Sequence, residues 1–212
     1  MKTKTLFMMR KLFVTMFLLC MITSFSYAQN FRYGFIGGVN LSKPTGDIEP
    51  QCQAGLLLGV KGELGIPSVA KGFYTELGLQ LSAKGYKYQY GTNERYFTNN
   101  INYLIVPVHI GYKIECSKSV SLFANVGPYA GVALWGKEKS YKNGEKFHTT
   151  SDLFNEYGYK RFDYGCGFNI GAEYAKHFQL SFGADWGLNN ISKVDGYEHK
   201  NRSFTFSLGY IL

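Results

Sequence analysis

The sequence predicts an all-β protein: an eight-stranded antiparallel transmembrane β-barrel with short turns at one end and longer loops at the other. Three observations predict it. Apolar residues recur at every second position rather than with helical spacing. The opposite face of the same segments is dense in glycine and charge. The connections between segments alternate between short and long.

Residues 1–28 are expected to stand apart as a signal peptide, leaving a barrel domain over 29–212. Lys2, Lys4, Arg10 and Lys11 form a positive start, and Leu12–Ile22 is an apolar run too short to cross a bilayer. Ser26 and Ala28 then supply the small residues of a cleavage site after Ala28. Cys20 does not suit a lipoprotein site, because bulky Leu19 precedes it. The full chain has a formal net charge of +8, but the leader holds four cations and no acid. Nineteen basic residues then face fifteen acidic ones, a balance of +4 with no long basic run, which argues against a nucleic-acid partner. Cys52, Cys116 and Cys166 remain, and their odd number and wide spacing fit neither a disulfide framework nor a zinc site.

Eight alternating segments follow, at about 31–41, 53–64, 72–85, 101–115, 119–135, 161–175, 178–189 and 202–212. The last is the clearest: Phe204, Phe206, Leu208, Tyr210 and Leu212 share one face, and Ser203, Thr205, Ser207 and Gly209 the other. Each segment reaches the roughly 9–11 residues that a tilted membrane strand needs. An even number permits closure, which removes the edges that lipid cannot tolerate. Ile66–Lys71, Cys116–Lys118 and Lys176–His177 are short connections; Ser42–Cys52, Tyr86–Asn100, Gly136–Lys160 and Asn190–Asn201 are longer. Short turns facing the periplasm and long loops facing outward are the outer-membrane arrangement, which puts both termini at the periplasmic end.

Alternation alone does not say which face is inside. The glycines do: Gly34, Gly38, Gly55, Gly59, Gly78, Gly111, Gly171 and Gly183 lie on the non-apolar face. Small residues suit a lumen barely wide enough for its own side chains, whereas on a solvated exterior they would only weaken the strands. The same face carries Arg32, Lys61, Glu63, Glu76, Lys84, His109, Lys113, Glu115, Asp163, Glu173 and Asp185, read as a structural polar network of the lumen. Opposite charges there can pair and offset the cost of burial. Arg32, Lys61, Glu63, Lys113, Glu115 and Glu173 are expected to form an ion-pair plug in the periplasmic half. The other face, with Leu77, Leu79, Val106, Val108 and Ile110, is nearly free of charge, as a lipid-facing band must be. Tyr33, Tyr112, Tyr174 and Tyr210 near one end, and Phe162, Tyr164, Trp186 and Phe204 near the other, read as aromatic girdles.

Several stretches resemble the PorT-like outer-membrane β-barrel family of Bacteroidetes-type bacteria, over essentially all of the mature chain. Gly37–Ser42 (GGVNLS) is similar to that family's first-strand Gly-x-Asn-x-Ser pattern. Glu76–Gly85 (ELGLQLSAKG) resembles its third strand, and Tyr103–Pro107 (YLIVP) its Tyr-Leu-Glu-Ile-Pro fourth strand. Gly127–Gly131 (GPYAG) and Phe162–Gly167 (FDYGCG) match later stretches. Ile105 stands where the family has an inward Glu, so a lumen network using that carboxylate would be altered. The resemblance implies an outer-membrane barrel. It implies no single activity, although a named member is tied to type IX secretion and surface-protein export.

No catalytic residue, cofactor or metal is expected. His109 shares the inward face with Glu76, Asp163 and Asp185, but mid-strand, away from the rim where barrel enzymes place their groups. His148 lacks partners at metal spacing. Pro107 and Pro128 each remove a ladder donor and mark a local bend. The segment 136–160 mixes Lys137, Lys139, Lys142 and Lys146 with Tyr141, Phe147, Phe154, Tyr157 and Tyr159, a composition suited to contacts with an envelope or surface protein. The expected function is therefore that of a non-enzymatic structural or partner-binding barrel in outer-membrane lipid, with accessory work in surface-protein export as the implied role. The alternatives are an outer-membrane enzyme with a rim site and a soluble exported lipocalin-like binder.

Overall fold

The computed structural model describes residues 30–46, 50–90, 95–151, 153–154 and 158–212. The expected leader and its cleavage after Ala28 lie outside the described residues. Among those described there are nine strands: β1 (Phe31–Gly46), β2 (Gln51–Gly65), β3 (Phe73–Tyr90), β4 (Arg95–Glu115), β5 (Val120–Lys142), β6 (Glu145–Thr150), β7 (Phe162–Tyr174), β8 (Phe178–Gly187) and β9 (His199–Ile211). The barrel lies within one compact unit, Arg32–Leu212.

Eight of the strands close into an antiparallel ring, with β4 paired to β5 and β1 paired to β9. Closure leaves no edge within the ring, so the backbone polar groups of the wall are satisfied by neighbouring strands. The ninth, β6, lies outside the ring and folds back on the end of β5.

The faces are opposite to those of a soluble protein. Leu58, Leu79, Val108, Ile110, Val126 and Leu208 are exposed on the outside, while Lys61, Glu63, Glu76, Lys84, Asp163 and Glu173 are buried inside. A lipocalin-like binder would need the reverse, so that alternative is excluded. The expected girdle residues all face outward. Tyr164 and Tyr174, ten residues apart on β7, are separated along the axis by about 25 Å at ~3.3 Å per residue and a tilt of ~40°, the height of an apolar membrane band.

The strands run further at the loop end than periodicity suggests. Residues 42–46, 86–90, 95–100 and 136–142, expected as loop, are strand. Only residues 47–50 separate β1 from β2, and only 91–94 separate β3 from β4. The expected long loop 136–160 contains the β5–β6 hairpin, turned by Asn143 and Gly144 with φ of 53° and 82°. Positive φ at both positions makes the tight turn that matches strand twist, and Asn-Gly is its favoured sequence. Outside the membrane the alternation of apolar and polar residues fades, because both faces of the strand meet polar surroundings. Periodicity is therefore silent just where these extensions lie.

Two irregularities shape the wall. Register between β4 and β5 shifts between Asn102 and Tyr103, leaving Leu134 as the extra residue of a bulge. The Arg161 guanidinium donates to the carbonyls of Ala133 and Leu134, 3.0 and 3.1 Å away, and so caps it. At Pro107 the β3–β4 ladder passes from Leu77–Val108 to Gln80–Ile105. A Cβ on Gly78 would lie 2.9 Å from the Pro107 Cγ, so glycine leaves room for the ring.

Candidate functional site

The lumen is filled in successive layers. At the turn end, β1, β2, β3, β4 and β7 project Arg32, Lys61, Glu63, Glu76, Lys113 and Glu173 inward, three cations among three carboxylates. Lys113 Nζ lies 3.0 Å from Glu63 Oε2 and 2.6 Å from Glu173 Oε2. Lys61 Nζ lies 2.8 Å from Glu76 Oε2 and 3.4 Å from Glu63 Oε1. Arg32 bridges Glu63 and Glu173 and also donates to the Lys176 carbonyl. Gln179 on β8 completes the cluster, donating to Glu63 at 2.8 Å and Glu173 at 2.7 Å. Buried ions become tolerable only when their remaining hydrogen-bonding capacity is met in this way.

Glu115 does not belong to the cluster. Its side chain is 66 % exposed and lies 3.7 Å from Lys71 in the neighbouring turn. At the end of β4 the alternating pattern continues past the barrel floor, so inward parity no longer means burial. Gln179 was legible as an inward polar residue, but nothing in its spacing joins it to carboxylates 116 and 6 positions away.

The next layer is neutral. Asn169 Nδ2 donates to Asn125 Oδ1 at 2.8 Å, and Asn125 reaches the Tyr74 hydroxyl at 3.2 Å. His109 contacts Asn169 at 3.4 Å and lies 3.9 Å from Glu76. It does not join Asp163 and Asp185, which belong to the layer above. There Lys84 Nζ sits 3.8 Å from Asp163 Oδ2 and 3.9 Å from Asp185 Oδ2, ion pairs without a direct hydrogen bond. The ammonium lies over the Tyr129 ring, 4.8 Å from its centroid. Asn201 donates to Asp163 at 2.9 Å and Ser203 to Asp185 at 3.3 Å.

The loop end is closed by apolar packing, which the charge pattern did not predict. Ile101, Tyr103, Ile105, Tyr129 and Ala133 form a buried cluster inside the wall, and Leu153 enters it from the segment after β6. Ile105, at the position where the resembled family has Glu, therefore serves an apolar layer rather than an ionic one. Tyr159 is tied across the mouth by a hydroxyl–hydroxyl contact with Tyr86, a bridge to Ser192 and a backbone bond to Leu153. A cavity of about 10 Å³ remains between Lys84, Asn99, Tyr103, Tyr159 and Asn201. That is room for roughly one water.

Fold and lumen together define a class: a small transmembrane barrel whose interior is crossed by layers of ion-paired and hydrogen-bonded side chains. The chain belongs to the outer membrane protein beta-barrel domain family, whose model matches residues 27–193. It is thus an outer-membrane protein whose lipid-facing wall is the apolar exterior described above. Among solved structures it is similar to neisserial surface protein A (12 % identity, 87 % of this chain and 97 % of that one, TM-score 0.47). It is likewise similar to Ail of Yersinia pestis, solved with the heparin analogue sucrose octasulfate (13 %, 87 % and 100 %, 0.44). A third is OprG of Pseudomonas aeruginosa (12 %, 85 % and 95 %, 0.44). No protein of curated function matches the sequence.

Proposed function

We propose that this protein is a non-enzymatic barrel that works through its outer surface, presenting the β5–β6 hairpin to a protein of the envelope or cell surface. One observation carries the reading: the polar side chains of the lumen are engaged with one another, while β6 stands outside the ring and, among the described residues, pairs with β5 alone. Phe147 is the extra residue of a bulge in β6 and is 65 % exposed. An exposed aromatic on an unpaired strand edge is the kind of feature that another chain can engage by strand addition. The motif resemblance to PorT-like barrels supports a more specific role, accessory to surface-protein export.

A photo-crosslinking residue in place of Phe147, in cells, tests this. The expected result is one discrete protein adduct, lost when the probe is kept at 147 and the other residues of 145–150 are replaced by Gly and Ser. That replacement leaves β5 paired with β4 through Lys142, so the barrel should still insert. Adducts no different from those of the same probe at Lys118, in a turn at the opposite end, would overturn the proposal.

A further inference from the structure

We propose that the outward face of the wall above Trp135 is a binding site for phosphate-bearing lipid headgroups of the outer leaflet. This goes beyond the protein-contact reading and does not depend on it. On β5, Trp135, Lys137, Lys139 and Tyr141 follow one another on one side beyond the bulge. Register aligns Lys87 of β3 with Thr98 of β4, and Thr98 with Lys139. Lys146 of β6 stands opposite Tyr141. With neighbouring strands about 4.8 Å apart, the Cα atoms of Lys87 and Lys139 lie roughly 10 Å apart across Thr98, within reach of one shared phosphate.

Among the described residues the face has no acid of its own. Glu138 and Glu145 have the opposite parity, beside Ser140 and Lys142. None of Lys87, Lys137, Lys139 and Lys146 has an ion-pair partner among the described residues. The Lys87 ammonium lies 4.1 Å from the centroid of Tyr96, whose ring stacks on Tyr141 at 4.7 Å.

Position selects the ligand. The lysines continue the same wall that faces lipid at Val132 and Leu134, so they look sideways along the membrane rather than up into the medium. Lys137 and Lys139 sit about 5 and 10 Å above Trp135 along the axis. A headgroup region adds roughly 5–8 Å to each side of the hydrocarbon core, so with its edge at Trp135 the first lysine stands within that layer and the second just above it, with a side chain long enough to reach back down. Basic residues at that level attract anionic lipid.

The far side of the ring repeats the arrangement. Lys43 and Arg202 are direct cross-strand partners on the outward face, one step above the Leu41–Phe204 pair, and Arg202 is also opposite Trp186. Like charges directly opposed destabilise a sheet. An anion between them removes that cost.

The test uses the full barrel reconstituted in phosphatidylcholine vesicles containing lipid A, with or without its phosphates. Wild type should bind the phosphorylated form roughly tenfold or more tightly than the dephosphorylated one. K87Q/K137Q/K139Q/K146Q should lose most of that preference, and K43Q/R202Q part of it. The four Lys→Arg replacements should keep it, which separates lost charge from misfolding. Equal binding of the two lipids by wild type, or unchanged preference in the four-Gln variant, would overturn the proposal. So would a soluble polyanion that competes as well as the lipid, since the ligand would then come from the medium.

Discussion

Arg32 and Glu173 meet across the lumen in a two-pronged ion pair, with Nη1–Oε1 at 3.1 Å and Nη2–Oε2 at 3.0 Å. They come from β1 and β7 and are 141 positions apart in the chain. Parallel double bonding of this kind adds geometric definition to charge. The pair therefore ties together strands that are not neighbours in the ring, and it does so at the end where the turns are shortest.

Glu173→Ala should destabilise the folded barrel by about 3–5 kcal/mol, because Arg32, Lys113 and Gln179 would lose a shared acceptor inside the lumen. Replacing Arg32 and Glu173 together by apolar residues should cost less than the sum of the single changes. Urea unfolding in detergent, followed by tryptophan fluorescence, measures both. A single-variant loss below about 1 kcal/mol would mean that water enters the cluster freely.

The lipid-facing wall makes a separate prediction. Leu79→Arg or Ile110→Arg should cost about 2–4 kcal/mol in a bilayer, the value for a cation near the midplane. Folding into vesicles across a urea series gives the number. Equal stability of variant and parent would contradict the assignment of these outward residues to lipid.

Glycines in the lumen serve as seats for aromatic rings. Tyr74 lies directly across from Gly111, and Phe123 across from Gly171. A Cβ at either glycine would come within 2.5 Å of the partner ring. Gly171→Val should therefore cost about 1–3 kcal/mol through overpacking. Adding Phe123→Ala should recover part of the loss. Additive losses in that double variant would show that the ring and the glycine do not share the space.

The packed lumen should carry no steady current. Charged clusters, the asparagine layer and the apolar mouth cross the lumen at successive levels, and the cavity beside Lys84 has room for about one water. Planar-bilayer recording of the pure protein should show no large, sustained conductance. Steady porin-like openings would require the layers to move aside together.

Much of this was legible in the chain. Alternation at Phe204, Phe206, Leu208 and Tyr210 reports the lipid-facing side, and inward Gly111 and Gly171 report a narrow interior. Inward parity identified ten of the polar residues now seen on the lumen wall and failed for Glu115, where β4 leaves the membrane. The Asn143–Gly144 turn was also readable, as an Asn-Gly pair, but the high polarity around it reads as loop.

The sequence by itself determined the fold class, the direction in which each face of the wall points, and the outer-membrane setting. These depend on local period and composition, which a strand carries in its own residues. Only the tertiary structure decided that Lys84 goes with Asp163 while Lys61 goes with Glu76, that Ile105 and Leu153 share an apolar mouth, and that Lys87 and Lys139 flank Thr98. Such meetings depend on inter-strand register and on closure of the ring. A two-residue period fixes which side a residue faces and is unchanged when a strand slides by two positions, so it carries no information about which partner lies opposite.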